Sequence, residues 1–414
     1  YGPPPPDPNP MFLDKRVNQG TSGRVYPNPF TDRVSNERAD KPYRAVFLEN
    51  EYLRLMILPE IGGRIHVGLD KTSDFNFYYR QHVVKPALIG LFGSWISGGV
   101  EFNWPQHHRP STFMPVDHFI EEGADGSRTV WLSEHEPMDR MKGMVGICLY
   151  PGKAFLEMKV QLYNRTPFAQ TFLWWVNAAI HAHDGYQLFF PPDVTMVTDH
   201  ARRAMSYFPI TRSVYYGIDY SQGVDIRWYK NLPVPSSYFA LESRYDFFGG
   251  YDHKHDAGII HVANHHISPG KKLFTWGNAD FAHGWERNLT DADGPYMELM
   301  AGVYTDNQPD FSWLQPYETK TFSQYWYPIQ KIGPAKNANR YVAVNLETQG
   351  QQAKVGVYAT ETFRSASLSL TAGQRVLWKW EGDLVPGAPL VKEIGVNGVS
   401  EACLLYTSPS PRDR

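Results

Sequence analysis

The chain has 414 residues, enough for two or three domains and a large core, and carries a formal net charge of −3. Charged residues make up only 20%, a near-neutral balance that argues against nucleic acid as the main partner. Two cysteines, Cys148 and Cys403, cannot build a disulfide framework or a cysteine-rich metal site, and no apolar run reaches the length of a membrane span. The excess is aromatic: 23 Phe, 25 Tyr and 12 Trp are more than a core needs and suit stacking on sugar rings.

Residues 1–40 begin with a cluster of prolines and read as an extended arm, because proline fixes φ and lacks an amide donor. From Tyr43 onward strand signals dominate. Leu53, Leu55 and Ile57 alternate with Arg54 and Met56, and Leu156, Met158, Val160 and Leu162 alternate with Glu157, Lys159 and Gln161. The turn Pro151-Gly152-Lys153 makes residues 144–163 a hairpin. Further strands are expected at 64–69, 128–135, 171–180, 258–263, 272–276, 296–304 and 319–328. No long segment carries a helical apolar stripe, so residues 41–330 read as one antiparallel sandwich or barrel. Past Ile332-Gly333-Pro334 the strands become short and regular, at 341–346, 354–359, 365–370 and 375–380. Residues 331–402 therefore read as a small, incomplete β-sandwich. Residues 403–414, CLLYTSPSPRDR, look like translated sequencing-adapter read-through and are expected to lie outside the natural fold.

Three segments concentrate chemistry. In residues 97–118, Gly98-Gly99 permits close backbone approach, and Glu101, Asn103, Trp104, His107, His108 and Arg109 follow within a few positions. In residues 174–193, an apolar strand runs into His181, His183, Asp184 and Tyr186, with the two histidines on one face of an extended strand. A lone His-x-His pair is a weak metal signal, and proton transfer or sugar binding suits the aromatic surroundings better. In residues 276–328, Glu298 lies mid-strand among Tyr296, Met297, Leu299 and Met300. An acid there must neutralise, find a partner or face a cavity. Trp276, Asp306 and Gln308 flank it as sugar-binding candidates. No glycine-rich dinucleotide or phosphate loop, zinc-protease motif or serine-hydrolase elbow is present, so no cofactor and no metal ligand is expected.

Five segments carry a family resemblance: PEIGGRI (59–65), SGGVEFNWPQHHRP (97–110), NAAIHAHDGYQLFFPPDV (177–194), KKLFTWG (271–277) and DGPYMELMAGVYTDNQPDFSWLQPYETKTFSQYWYPI (293–329). Over roughly residues 40–330 the chain resembles the galactose-mutarotase-like superfamily. More closely, it resembles an uncharacterised bacterial domain family found upstream of tetratricopeptide repeats. The resemblance implies an all-β antiparallel supersandwich with a sugar site on its concave face, a carbohydrate partner, and tetratricopeptide repeats beyond this sequence. It also implies a strand-borne glutamate base, matching Glu298, and a histidine acid, matched loosely by His181 or His183.

Three functions are expected from these residues. The first is cleavage of a glycosidic bond with Glu298 and Glu101 as the acid/base pair, since two carboxylates flank the bond in such chemistry. His108, Arg109, Trp104, Asn103, His183, Asp184, Tyr186, Trp276, Asp306 and Gln308 would then contact sugar. The second is aldose 1-epimerisation with Glu298 as base and His181 or His183 as acid. The third is a non-catalytic sugar-binding module.

Overall fold

A computed structural model describes residues 26–28, 34–90, 93–109 and 111–396. Most of the expected N-terminal arm, together with Cys403 and the rest of 403–414, lies outside the described residues.

Two antiparallel sheets face each other. The first is 11-stranded and carries the site. Its central strands run, side by side, Arg64–Asp70, Val100–Asn103, Trp175–His181, Tyr296–Gly302, Gly270–Thr275 and Ser236–Ala240. The second is 8-stranded, with Ala257–Val262, Thr319–Gln330, Leu156–Tyr163 and Lys142–Leu149 at its centre. The expected hairpin over 144–163 pairs Lys142–Leu149 with Leu156–Tyr163 in continuous register.

Alternation decides which side chains face the second sheet. Val100, Phe102, Val176, Ala178, Ile180, Leu273, Met297, Leu299 and Ala301 pack inward with Ile147, Met158, Val160, Leu162 and Trp326 in one apolar core. Their neighbours Glu101, Asn177, Ala179, Lys272, Glu298 and Met300 point to the opposite face. That face is roofed as well. Tyr79, Ala87, Trp95, Ala179, Leu289 and Tyr296 form an apolar cluster above one end of it, and Leu173, Trp175, Phe239 and Met300 form another, so Tyr296–Gly302 is buried at every position.

The expected strand 171–180 is broken into Gln170–Phe172 and Trp175–His181, which join different sheets. A ten-residue helix, Asp280–Leu289, forms where no helix was expected; only Ala282 and Leu289 are buried in it, too few to leave a stripe in the sequence. Glu157, expected to face solvent, is only 8% exposed and accepts hydrogen bonds from Tyr150, Ser323 and Tyr325.

After Gln330 a 4-stranded sheet (Asn337–Ala338, Val342–Gln349, Gln352–Ala359, Leu390–Gly395) faces the hairpin Phe363–Ala372/Arg375–Leu384 around Val344, Val355, Leu368 and Leu370. This small sandwich also shares a core with the large one: Phe155, Phe189, Phe247, Tyr251 and Tyr327 pack with Ala343 and Tyr358.

Candidate active site

Sheet register brings the site together. Glu101 stands opposite Asn177, Asn177 opposite Met300, and Met300 opposite Lys272, so these four side chains form one row across the sheet. Glu298 lies in the next row, opposite Ala179 and Phe274. Glu101 and Glu298 are therefore two strands apart, about 10 Å across the sheet. A cleft of about 260 Å³ opens over Glu298 and Lys272, walled by Trp95, Phe274 and Trp276 and by His107, His108, His200 and Gln308.

Glu101 is fully engaged. Its Oε1 accepts from Thr112 Oγ1 at 2.8 Å, and its Oε2 from the Trp95 indole at 2.9 Å and from His108 Nδ1 at 3.1 Å. Burial raises its pKa, but the His108 charge and hydrogen bond, with Arg64 and Thr112, more than reverse this and hold it at about 2. On His108 burial acts downward, and the same carboxylate wins and raises its pKa. The pair is thus carboxylate and imidazolium. Asn103 accepts the backbone N–H of His108, whose φ of 49° swings the imidazole back over the strand. Arg64, buried, donates to the carbonyls of Ile96, Ser97 and Gly98 and fixes the turn ahead of Glu101. That turn needs glycine: a Cβ on Gly99, at φ 60°, would lie 2.2 Å from the Ile65 carbonyl oxygen.

Glu298 is the opposite case. It is 4% exposed, and among the described residues no hydrogen bond reaches its carboxylate. Burial raises its pKa, against the attraction of His108 and Lys272. Lys272 is buried too, and burial lowers its pKa against the pull of Glu298. Its Nζ donates to Gln308 Oε1 at 2.5 Å and lies 3.1 Å from His200 Nε2. His107 is held down to about 3 by burial and by the charges of His108 and Lys272; His200 is held down to about 2 by burial and Lys272. Asn177, 2% exposed in the row beside Glu101, has both amide atoms buried without a partner.

Of the other expected residues, all but Trp276 fall elsewhere. Arg109 turns behind the sheet, donating to the Gly62 carbonyl at 2.6 Å and pairing with Glu134. Trp104 is core, packed on Phe172. Asp306 pairs with Arg202 on the surface, beside Asn307, whose amide holds the Asp199–Ala201 turn and so positions His200. Trp276 stacks on Trp285, and its indole donates to Tyr296 Oη at 2.9 Å. His181, His183 and Tyr186 line a second cleft of about 370 Å³ with Asp252 and His255, and Asp184 is exposed in the adjoining turn. Hydrogen-bonding atoms of His183, Asp252 and His255 lie within 4.8 Å of one another, a set able to surround a cation. As they stand they bond each other: Gly185 N–H donates to His183 Nδ1, so Nε2 carries the proton given to Asp252 at 2.9 Å.

Lys272, His200, His107 and Asn177 were not assigned roles from the sequence. For Lys272 a signal existed: Lys271-Lys272 opens an otherwise apolar strand, where a charge needs a reason.

The fold is a large antiparallel β-supersandwich followed by a small β-sandwich. Residues 21–329 match the family described as "Domain of unknown function (DUF5107)", and the chain belongs to that family. Residues 337–407 match the second domain of YphG-like proteins. Among solved structures, a TPR-domain containing protein from Parabacteroides distasonis is 26% identical, with a TM-score of 0.65 over 73% of this chain and 50% of that one. The chain thus spans about half the length of that relative. The Slr1438 protein from Synechocystis is 11% identical (TM-score 0.49, 72% of this chain, 100% of that one). A galactose mutarotase-like protein from Lactobacillus casei is 10% identical (TM-score 0.46, 69% and 100%). Among the described residues no helix is long and apolar enough to cross a membrane.

Proposed function

We propose that the Glu298 cleft binds a free aldose and exchanges protons at its anomeric centre, an aldose 1-epimerase type of reaction. Glu298 is the base that takes the anomeric hydroxyl proton. The His108 imidazolium is the acid that protonates the ring oxygen as the ring opens. Reclosure on the other face returns both protons. Glu101 touches no substrate; it orients His108 and keeps it charged, as a buried carboxylate does for a catalytic histidine. Trp95, Phe274 and Trp276 supply the apolar faces that a sugar ring stacks on.

One observation carries this reading: every oxygen of Glu101 is already bonded, and to the acid itself, while Glu298 has no bonded partner. General acid and base of this kind contribute about 10²–10⁴-fold each. Glycoside cleavage keeps one observation in its favour, because environments that push two carboxylates apart in pKa mark an acid/base pair. Against it, Glu101 sits behind His108 and Trp95, where it cannot reach a glycosidic carbon.

The test follows freshly dissolved α-anomers of glucose, galactose and other aldoses by NMR, beside a panel of oligosaccharides. Faster anomer equilibration that vanishes in Glu298→Gln supports the proposal. Released reducing ends without faster equilibration would replace it with hydrolysis. Saturable sugar binding with neither reaction would leave a binding module.

A further inference from the structure

Lys272 stands on the cleft wall, and among the described residues no carboxylate forms an ion pair with it. The ionised groups acting on Glu298 are Arg64, His108 and Lys272 on one side and Glu101 on the other. Of these, only Lys272 and His108 line the cleft with Glu298, and Glu101 bonds His108 from behind, which leaves Lys272 without a bonded carboxylate. Other nearby cations are neutralised: Arg109 by Glu134, Arg202 by Asp306 and Asp310, and Arg203 by Asp199.

Lys272 has donor capacity to spare. Lys272 Nζ sits 5.0 and 5.5 Å from the ring centres of Phe239 and Phe274, directing donors at Gln308 and His200. An ammonium has three donors, so one is left for a ligand. His107 stands on the same cleft with its Nδ1 buried and, among the described residues, without a hydrogen-bond partner. A neutral sugar would leave the buried Lys272 without a bonded counter-charge, which is costly.

We propose that Lys272, His200 and His107 form an anion subsite, and that the sugar taken by this cleft carries a carboxylate or phosphate group. This deepens the sugar reading of the cleft and rests on it. Lys272 is one strand from Glu298, so the anion belongs on a ring substituent while the anomeric carbon faces Glu298 and His108. The two imidazoles are kept neutral by burial and by Lys272, and each still carries one ring N–H that can donate to the anion.

The test is calorimetric titration of the whole chain at pH 7 and low salt. The ligands are glucuronate and galacturonate, the 6-phosphates of glucose and galactose, the neutral parent sugars, and inorganic phosphate. At least one charged sugar should bind about tenfold tighter than its parent, or better, the scale of a charge-assisted hydrogen bond. Added salt should narrow the gap and Lys272→Met should close it. The series that shows the gap identifies the anion as carboxylate or phosphate. Should Lys272→Met fail to fold, His107→Gln and His200→Gln must each narrow the gap. Parents that bind as tightly as the charged sugars, or a gap that survives these variants, overturn the subsite. Anomer exchange of neutral aldoses without charge preference would sink the subsite alone; tight charged-sugar binding without exchange would sink the exchange chemistry alone.

Discussion

Glu101→Gln isolates the pair on which the proposed chemistry depends. The carboxylate is held from its ordinary 4.5 down to about 2. That gap corresponds to ~3 kcal/mol at about 1.36 kcal/mol per pH unit, the largest favourable share coming from His108. Glutamine keeps the shape and can still accept from Thr112 and Trp95, but it removes the charge that holds the proton on His108. Burial and Lys272 then act downward against Glu298 alone, and His108 should titrate at lower pH than in the wild type. At pH 7.5 the protonated acid becomes scarce. The alkaline limb of the rate profile should move to lower pH by about one to two units, with a rate loss of roughly tenfold to hundredfold there and a much smaller loss near pH 5. The side-chain nitrogen shifts of His108, followed by NMR across pH 4–10, read the same change without requiring turnover. An unmoved His108 titration refutes the ion pair. Uniform loss of rate at every pH in a variant with unchanged melting temperature would instead give Glu101 a direct contact with substrate.

Glu298→Gln should abolish turnover while shifting the melting temperature by only a few degrees, because the side chain has no hydrogen-bonded partner to lose; a large drop in stability with retained activity would make Glu298 structural. The Glu101–His108 pair should also shape stability against pH. Glu101 has a depressed folded pKa, so its contribution is present above 4.5 and lost as pH falls towards 2; His108 has a raised one, so its contribution is present below 6.5 and lost as pH climbs through its folded value. Thermal melts should therefore show the wild-type advantage over Glu101→Gln to be greatest between about pH 4.5 and 6.5, shrinking on either side. Gly99→Ala should cost more than ~2 kcal/mol, since it joins left-handed strain to a clash with the Ile65 backbone, and denaturant unfolding would measure it.

The sheet framework was legible because period-two alternation survives wherever one face is buried. Leu156 to Leu162 read correctly on that ground. Glu157 did not, because the outer face of its strand is covered by Tyr150, Tyr325 and the small sandwich, contacts made by residues distant in sequence. Glu298 stood out because a carboxylate in a strand buried on both faces must face something. Glu101 stood out too, but its part was hidden: whether an acid acts or orients depends on what bonds its oxygens, and Thr112 comes from a turn and Trp95 from the strand Gly93–Ile96 of a separate two-stranded ribbon. The two histidines His181 and His183 do not share a strand face: the strand ends at His181, and His183 lies in the loop beyond the Glu298 row, where Asp252 of the second sheet captures it. The histidines that do meet Glu298 sit on loops, where no periodicity marks them. Lys272 was visible as a charge out of place, and only the cross-strand register through Met300 shows what it serves.

The apolar seam between the two sandwiches has a practical bearing on where this protein can be cut. The family match ends at residue 329, yet a chain stopped there would bare Phe155, Phe189, Phe247, Tyr251, Ile260 and Tyr327 to water all at once. A contiguous aromatic face of that kind drives aggregation. The smallest piece that can be handled in solution therefore extends through the strands that cover it, with Ala343 and Tyr358 serving as the lid on the neighbouring sheet's outer surface.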